Sequence, residues 1–170
     1  MDILVVVDMQ KDFISGALGT KEAQAILPRV SEKIAQAKKT GKTIVFTRDT
    51  HHENYLDTQE GKNLPVPHCI ENTDGWQLDP TLDTAGAMIF DKPSFGSEAL
   101  VRYLKSLPDL QSAEFVGLCT DICVITNVLS AKCALPELPI SVDSACCAGV
   151  TPQSHENALS AMRMCQISIQ

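Results

Sequence analysis

The stretch GLCTDICV, Gly117–Val124, sets two cysteines four residues apart between an apolar run and a helix-like segment. A thiol in the first turn of a helix feels the positive end of the peptide dipoles, which favours the thiolate. Backbone N–H groups of the same turn can face an oxyanion developing on an attacked carbonyl. Cys123 has that position, whereas Cys119 lies in the tight link before the helix. Both also fit small buried hydrophobes, which free cysteines usually are. A structural zinc site is the weaker fit, because it takes four ligands and no second cysteine pair repeats this spacing.

A nucleophilic thiol needs a base and a cation nearby. Asp8, just after the apolar run Ile3–Val7, is a carboxylate able to accept a thiol proton. Lys92, in FDKPSFGS, is a cation able to draw a thiol pKa down. Taken singly, Asp8 also reads as a helix cap and Lys92 as a solvated surface lysine. A second polar group lies in RDTHHENYLDTQEGKNLPVPHC, where Asp49-x-His51 leaves a strand end and His68 returns after the loop. Asp, His and His suit a borderline divalent ion such as zinc, iron or manganese, with Glu60, Glu53 or His52 available as a further ligand. An ordinary polar surface loop has the same composition. His155 has no such partners and reads as structural or exposed.

These residues must be held by something. Ile3–Val7, Thr43–Thr47, Ala87–Phe90, Glu114–Leu118 and Ile140–Val142 read as strands, and Gln166–Gln170 as a last one. Between them, helical spacing covers Glu22–Lys39, capped by Thr20, and Gly96–Leu107. Helices also span Asp121–Leu135 and the segment from Thr151-Pro152 to about Cys165. Arg48–Pro80 is polar, aperiodic and too long for a plain connection, which points to function. Strand–helix alternation with β-branched strands means an open, mostly parallel sheet flanked by helices on both faces, a three-layer α/β fold. Ligands bind beyond the carboxyl ends of such strands. Asp8, Asp49, His51, Lys92 and Cys119–Cys123 all fall there.

The 170 residues suit one domain, 1–170, and the 44% hydrophobic content suits a packed body. A net charge of −7 with no basic block argues against nucleic acid and anionic membrane surfaces. The apolar runs are far shorter than the roughly 20 residues of a membrane span. MDILVVVDMQ carries acids rather than a basic leader, so it reads as a first strand and not a signal peptide. Seven cysteines, an odd number, suit a reducing compartment.

VVVDMQKDF at 5–13, TRDTH at 47–51, PHC at 67–69, FDKPSFGS at 90–97 and GLCTDICV at 117–124 resemble, in order, motifs of the isochorismatase-like cysteine hydrolases and their nicotinamidase/pyrazinamidase branch. The resemblance implies a Rossmann-like three-layer fold and a cytoplasmic, homo-oligomeric amidohydrolase of NAD salvage, acting on a small amide. Cys123, which follows the T-D-x triplet, would be the nucleophile, Asp8 the proton acceptor and Lys92 the third member. A cis peptide would precede Cys119, and the N–H groups of Cys119 and Cys123 would form the oxyanion hole. Asp49, His51 and His68 would hold a divalent ion, zinc before iron or manganese, with Glu60 as an extra ligand. Phe13 would form one wall of a ring pocket. Leu64 stands where the branch commonly has a second aromatic, and the only tryptophan, Trp76, lies beyond it. Two rivals share the fold: a hydrolase of another small amide, such as an N-carbamoyl compound, and a catalytically silent binding module. A flavodoxin-like regulator would account for Asp8 but not for Lys92 and Cys123 together.

Overall fold

The computed structural model describes residues 1–170. Its elements run β1 (Asp2–Val7), α1 (Lys11–Ile14), α2 (Lys21–Lys39), β2 (Thr43–Asp49), α3 (Gln59–Asn63), β3 (Met88–Lys92) and α4 (Glu98–Ser106). There follow β4 (Ser112–Leu118), α5 (Ile125–Ala134), β5 (Ile140–Ala148), α6 (Pro152–Met164) and β6 (Ser168–Ile169). The strands form one six-stranded sheet in the order β3-β2-β1-β4-β5-β6, and every pairing is parallel.

Alternation along β1 divides the core. Leu4 and Val6 face α2, whose Ile26, Val30 and Ile34 cover that side of the sheet. Ile3, Val5 and Val7 face the other side, under Leu100 and Leu104 of α4, Val128 of α5 and Leu159 of α6. Each such side chain contributes about 1.5–3 kcal/mol through burial. Helix starts are fixed locally: Thr20 accepts from the Ala23 N–H, and Thr151 and Ser154 form a capping box with Pro152 in the first turn. No helix is long and apolar enough to cross a membrane.

Four expectations need correction. Residues 121–124 do not continue α5; Thr120–Val124 is a π-helical turn that precedes it. β5 runs on to Ala148 rather than stopping at Val142, because a register shift between Phe115 and Gly117 lets its second half rejoin β4. Two short helices, α1 and α3, and a 3-10 turn at Tyr55–Asp57 punctuate stretches that lack helical periodicity. Lys92 is the last residue of β3, not a loop residue beyond it.

The order of the strands matters for the site. From β1 the chain winds out to β2 and β3, then returns to place β4 on the other side of β1. The switch point therefore lies between the carboxyl ends of β1 and β4, where open α/β sheets bind ligands. Gly117 is needed here: its φ is 119°, and any Cβ would strike the Val7 carbonyl.

Candidate active site

Asp8 leaves β1 with a φ of 47° and is wholly buried. Its Oδ1 accepts a 2.7 Å bond from the Thr47 hydroxyl. Its Oδ2 meets Lys92 Nζ at 2.7 Å as an ion pair but takes no well-directed hydrogen bond within the protein. Lys92, 1% exposed, also donates to the Ser94 carbonyl at 2.9 Å and stands 3.3 Å from Asp49 Oδ1 and 3.5 Å from Cys123 Sγ. The sheet thus brings Asp8, Lys92 and Cys123 into one buried cluster. Leu118–Cys119 is a cis peptide, and the Cys119 N–H donates to no carbonyl of the chain.

Burial sets the electrostatics. It pushes the Asp8 carboxyl above the usual carboxylate range, with Lys92 opposing and Asp49 adding. Burial alone would lower Lys92, but Asp8, Cys123 and Asp49 outweigh it and keep the ammonium firmly charged. The Cys123 thiol is raised well above its ordinary value by burial and Asp8, against the pull of Lys92. Helix position had suggested a thiolate; in this dry cluster the resting group is the thiol, because desolvation and two carboxylates outweigh one ammonium. Cys119 is pushed up to about 12 by burial and then by Asp121 and Asp8, against a weaker pull from Lys92. Its side chain nevertheless lines the same cavity as Cys123, closer to a ligand than its place in the tight link suggested.

A second constellation sits beside the first. One donor atom each from Asp49, His51, Glu60 and His68 lies within 4.8 Å of the others. His51 Nε2 is 3.0 Å from Asp49 Oδ2 and 3.5 Å from Glu60 Oε1. His68 Nε2 is 3.7 Å from each of those oxygens. Ligands around a tetrahedral ion at roughly 2.1 Å stand about 3.4 Å apart, so the four atoms already have the right spread. His68 Nδ1–H donates to the Val66 carbonyl at 2.8 Å, which leaves the Nε2 lone pair facing the group. Two imidazoles and two carboxylates suit a divalent transition ion. Glu60 joins through α3, whose start is capped by Thr58. Burial would raise Asp49, but His51 and His68 hold it well below the usual range, as a permanent anion.

Both constellations open on a cavity of about 280 Å³, to which Cys123, Cys119, Asp49, Glu60 and His68 contribute. Phe13 and Leu64 line it, with Phe95 and Ile122 among the other apolar walls. Phe95 went unassigned although it lies within FDKPSFGS, since nothing local shows that the turn after β3 folds over the cavity. Trp76 is elsewhere, packed beneath the Arg48 guanidinium with its indole N–H bonded to Thr50.

Supporting residues were also missed. Gln10 accepts from the Asp49 N–H and donates to the Asp49 carbonyl, so it fixes that ligand from both sides. Asp12 accepts from the Cys69 N–H and holds the chain just past His68. Both sit inside VVVDMQKDF, which was the available signal. Tyr55, buried, packs its ring edge against His51 and His68 with centroids 4.8 and 5.1 Å away. His155, half-buried, shares a 2.7 Å hydrogen bond with Thr120.

The comparison with known proteins agrees with this architecture. The family model described as the isochorismatase domain matches residues 2–169. The nicotinamidase of Escherichia coli (strain K12) is 29% identical over 195 residues, covering 95% of this chain and 89% of its own. The nicotinamidase/pyrazinamidase of Mycobacterium tuberculosis (strain ATCC 25618 / H37Rv) is 26% identical, covering 99% and 98%. Among solved structures, the pyrazinamidase of Pyrococcus horikoshii in complex with zinc is 30% identical, with a TM-score of 0.87 and coverage of 99% and 98%. Because the family model spans the whole sheet and every element that feeds the cavity, the chain belongs to the isochorismatase family.

Proposed function

We propose that the protein is a metal-dependent nicotinamidase, an amidohydrolase that converts nicotinamide to nicotinate and ammonia through a thioester on Cys123. The observation that carries this reading is the shared cavity: the Cys123 thiol and members of the neighbouring four-donor group line one space together with apolar side chains. Its volume is at the small end of the roughly 300–1,000 Å³ of ligand cavities, which suits one flat ring bearing an amide. Relatives named nicotinamidase and pyrazinamidase, alike over nearly the whole chain, support the same substrate class.

Asp8 would take the Cys123 proton as the sulfur adds to the amide carbon. Its raised pKa makes it a competent acceptor, and the thiol it faces is otherwise inert. Lys92, bonded to Asp8 and close to Sγ, would hold the carboxylate in place and offset the charge that develops on sulfur. The N–H groups of Cys119 and Cys123 would face the carbonyl oxygen as it becomes an oxyanion. When the carbon–nitrogen bond breaks, Asp8 would return its proton to the departing ammonia. Water would then attack the thioester with Asp8 again as base, releasing nicotinate and the thiol. A divalent ion, which we take as zinc before iron or manganese, would be held by Asp49, His51, Glu60 and His68 and supply a Lewis acid for the ring nitrogen. The same reading makes the enzyme a cytoplasmic homo-oligomer, the assembly being open to sedimentation analysis.

The test is ammonia release from nicotinamide by wild type, by Cys123→Ala and by wild type treated with a chelator. Release by wild type alone is the expected result. Release that survives in Cys123→Ala would refute the nucleophile, and none by the metal-reconstituted wild type would refute the substrate.

A further inference from the structure

Asn127, in α5, is wholly buried and uses its amide to join two segments of the site. Its Nδ2 donates to the Cys123 carbonyl at 2.8 Å and to the Phe95 carbonyl at 3.0 Å. Its Oδ1 accepts from the Ser97 N–H at 2.9 Å. Both amide protons are committed, so the group is a three-way tie and not a spectator. A buried amide in a helix interior has no local reason to be there, since a helix has no use for a second set of donors.

The segments it joins are the two that must stay in register. One is the π turn carrying Cys123. The other is the turn after β3, in which the Ser94 carbonyl accepts from Lys92 Nζ and Phe95 lines the cavity. Thr126 makes a comparable local bond, its hydroxyl donating to the Ile122 carbonyl at 2.6 Å, but only its methyl faces the second segment, against Gly96, with no hydrogen bond across. Lys92 Nζ bridges Cys123 Sγ and the Ser94 carbonyl, and Asn127 adds the tie between the Cys123 and Phe95 backbone carbonyls.

We propose that Asn127 is a positioning residue that holds the nucleophile and the turn after β3, whose Ser94 carbonyl accepts from Lys92, at their working separation. This rests on the reading of Cys123 as the nucleophile. Removing its donors would leave Phe95, and the Ser94 carbonyl that accepts from Lys92, on a turn no longer tied to the cysteine segment by this amide. Misplacement of a reacting group by about 1 Å can lower turnover on the order of 100-fold.

The experiment compares Asn127→Asp and Asn127→Ser with wild type and Cys123→Ala in nicotinamide hydrolysis, well below each variant's melting midpoint. The aspartate keeps the shape and the acceptor but has at most one proton to donate, so it cannot hold both carbonyls. The serine hydroxyl can donate to the Cys123 carbonyl four residues back but is too short for Phe95. A second readout is the rate at which iodoacetamide labels Cys123, followed by mass spectrometry of its peptide near neutral pH.

The expected result is a kcat lower by about 100-fold in both Asn127→Asp and Asn127→Ser, with KM within about threefold and slower labelling, because neither side chain can donate to both carbonyls. If the aspartate variant does not fold, the serine variant decides, with kcat reduced about 100-fold at unchanged KM. A lowered melting midpoint with wild-type kcat and labelling would overturn the proposal and leave Asn127 merely structural. Activity remaining in Cys123→Ala would instead overturn the nucleophile on which it rests.

Discussion

Lys92→Met tests whether the cluster is as dry as its geometry implies. The side chain of Lys92 is fully shielded and is the one cation touching Asp8 and Asp49, at 2.7 and 3.3 Å. Methionine fills similar space without the charge and leaves two carboxylates buried together. Breaking a buried pair in this way costs about 3–5 kcal/mol. For a chain of this length each kcal/mol is worth roughly 2–4 °C, so the melting midpoint should fall by about 6–20 °C. The sign of the pH dependence follows from Asp8, whose folded pKa is already raised by burial and rises further without Lys92. A group raised on folding stabilises below its unfolded pKa, and that contribution is lost as pH rises through the folded value. The deficit of Lys92→Met relative to wild type should therefore be smaller near pH 5 than near pH 8. Adding Asp8→Asn should recover part of it, because the orphaned charge is then removed. Thermal melts of wild type, Lys92→Met and the double variant at both pH values measure all of this. A Lys92→Met midpoint within about 2 °C of wild type would refute the reasoning, since a solvated lysine behaves that way.

Three further expectations concern other parts of the molecule. Glu114, nearly buried at the amino end of the sheet, accepts from Lys33 at 2.8 Å and Lys42 at 2.9 Å; burial opposes its ionisation, but the two lysines hold its pKa below the usual range. Such a group stabilises above its unfolded pKa and the benefit is lost as pH falls through the folded one, so Glu114→Gln should cost about 1–3 kcal/mol in urea unfolding at neutral pH and less near pH 4. His68→Ala removes one of four donors and Asn or Ala at Asp49 another; each should lower the metal retained after dialysis, read by elemental analysis, by roughly 10-fold or more. Phe95→Ala removes an apolar wall without touching sulfur or donor atoms and should raise KM for nicotinamide about tenfold with kcat within threefold, by steady-state kinetics.

Short-range features could be read without coordinates because their causes are short-range. The run Ile3–Val7 is β-branched and uniformly apolar, which only a strand covered on both faces tolerates, and it became the innermost β1. Thr20 and Thr151-Pro152 cap helices through bonds within a few residues, so their positions are set by neighbours in the chain. Asp8, Asp49, His51, Lys92 and Cys123 could be singled out because parallel topology puts every residue after a strand on one edge. What remained hidden depended on distant partners. The π turn at Thr120–Val124 and the extension of β5 arise where β4 meets β1 and β5, and no local pattern encodes either. Phe95 lines the cavity on a turn bonded to Lys92 and to Asn127 of α5, contacts between residues far apart in the chain. The raised thiol of Cys123 is the clearest case: residue types alone suggested a thiolate beside a lysine, whereas desolvation, a property of the packed whole, decided for the thiol.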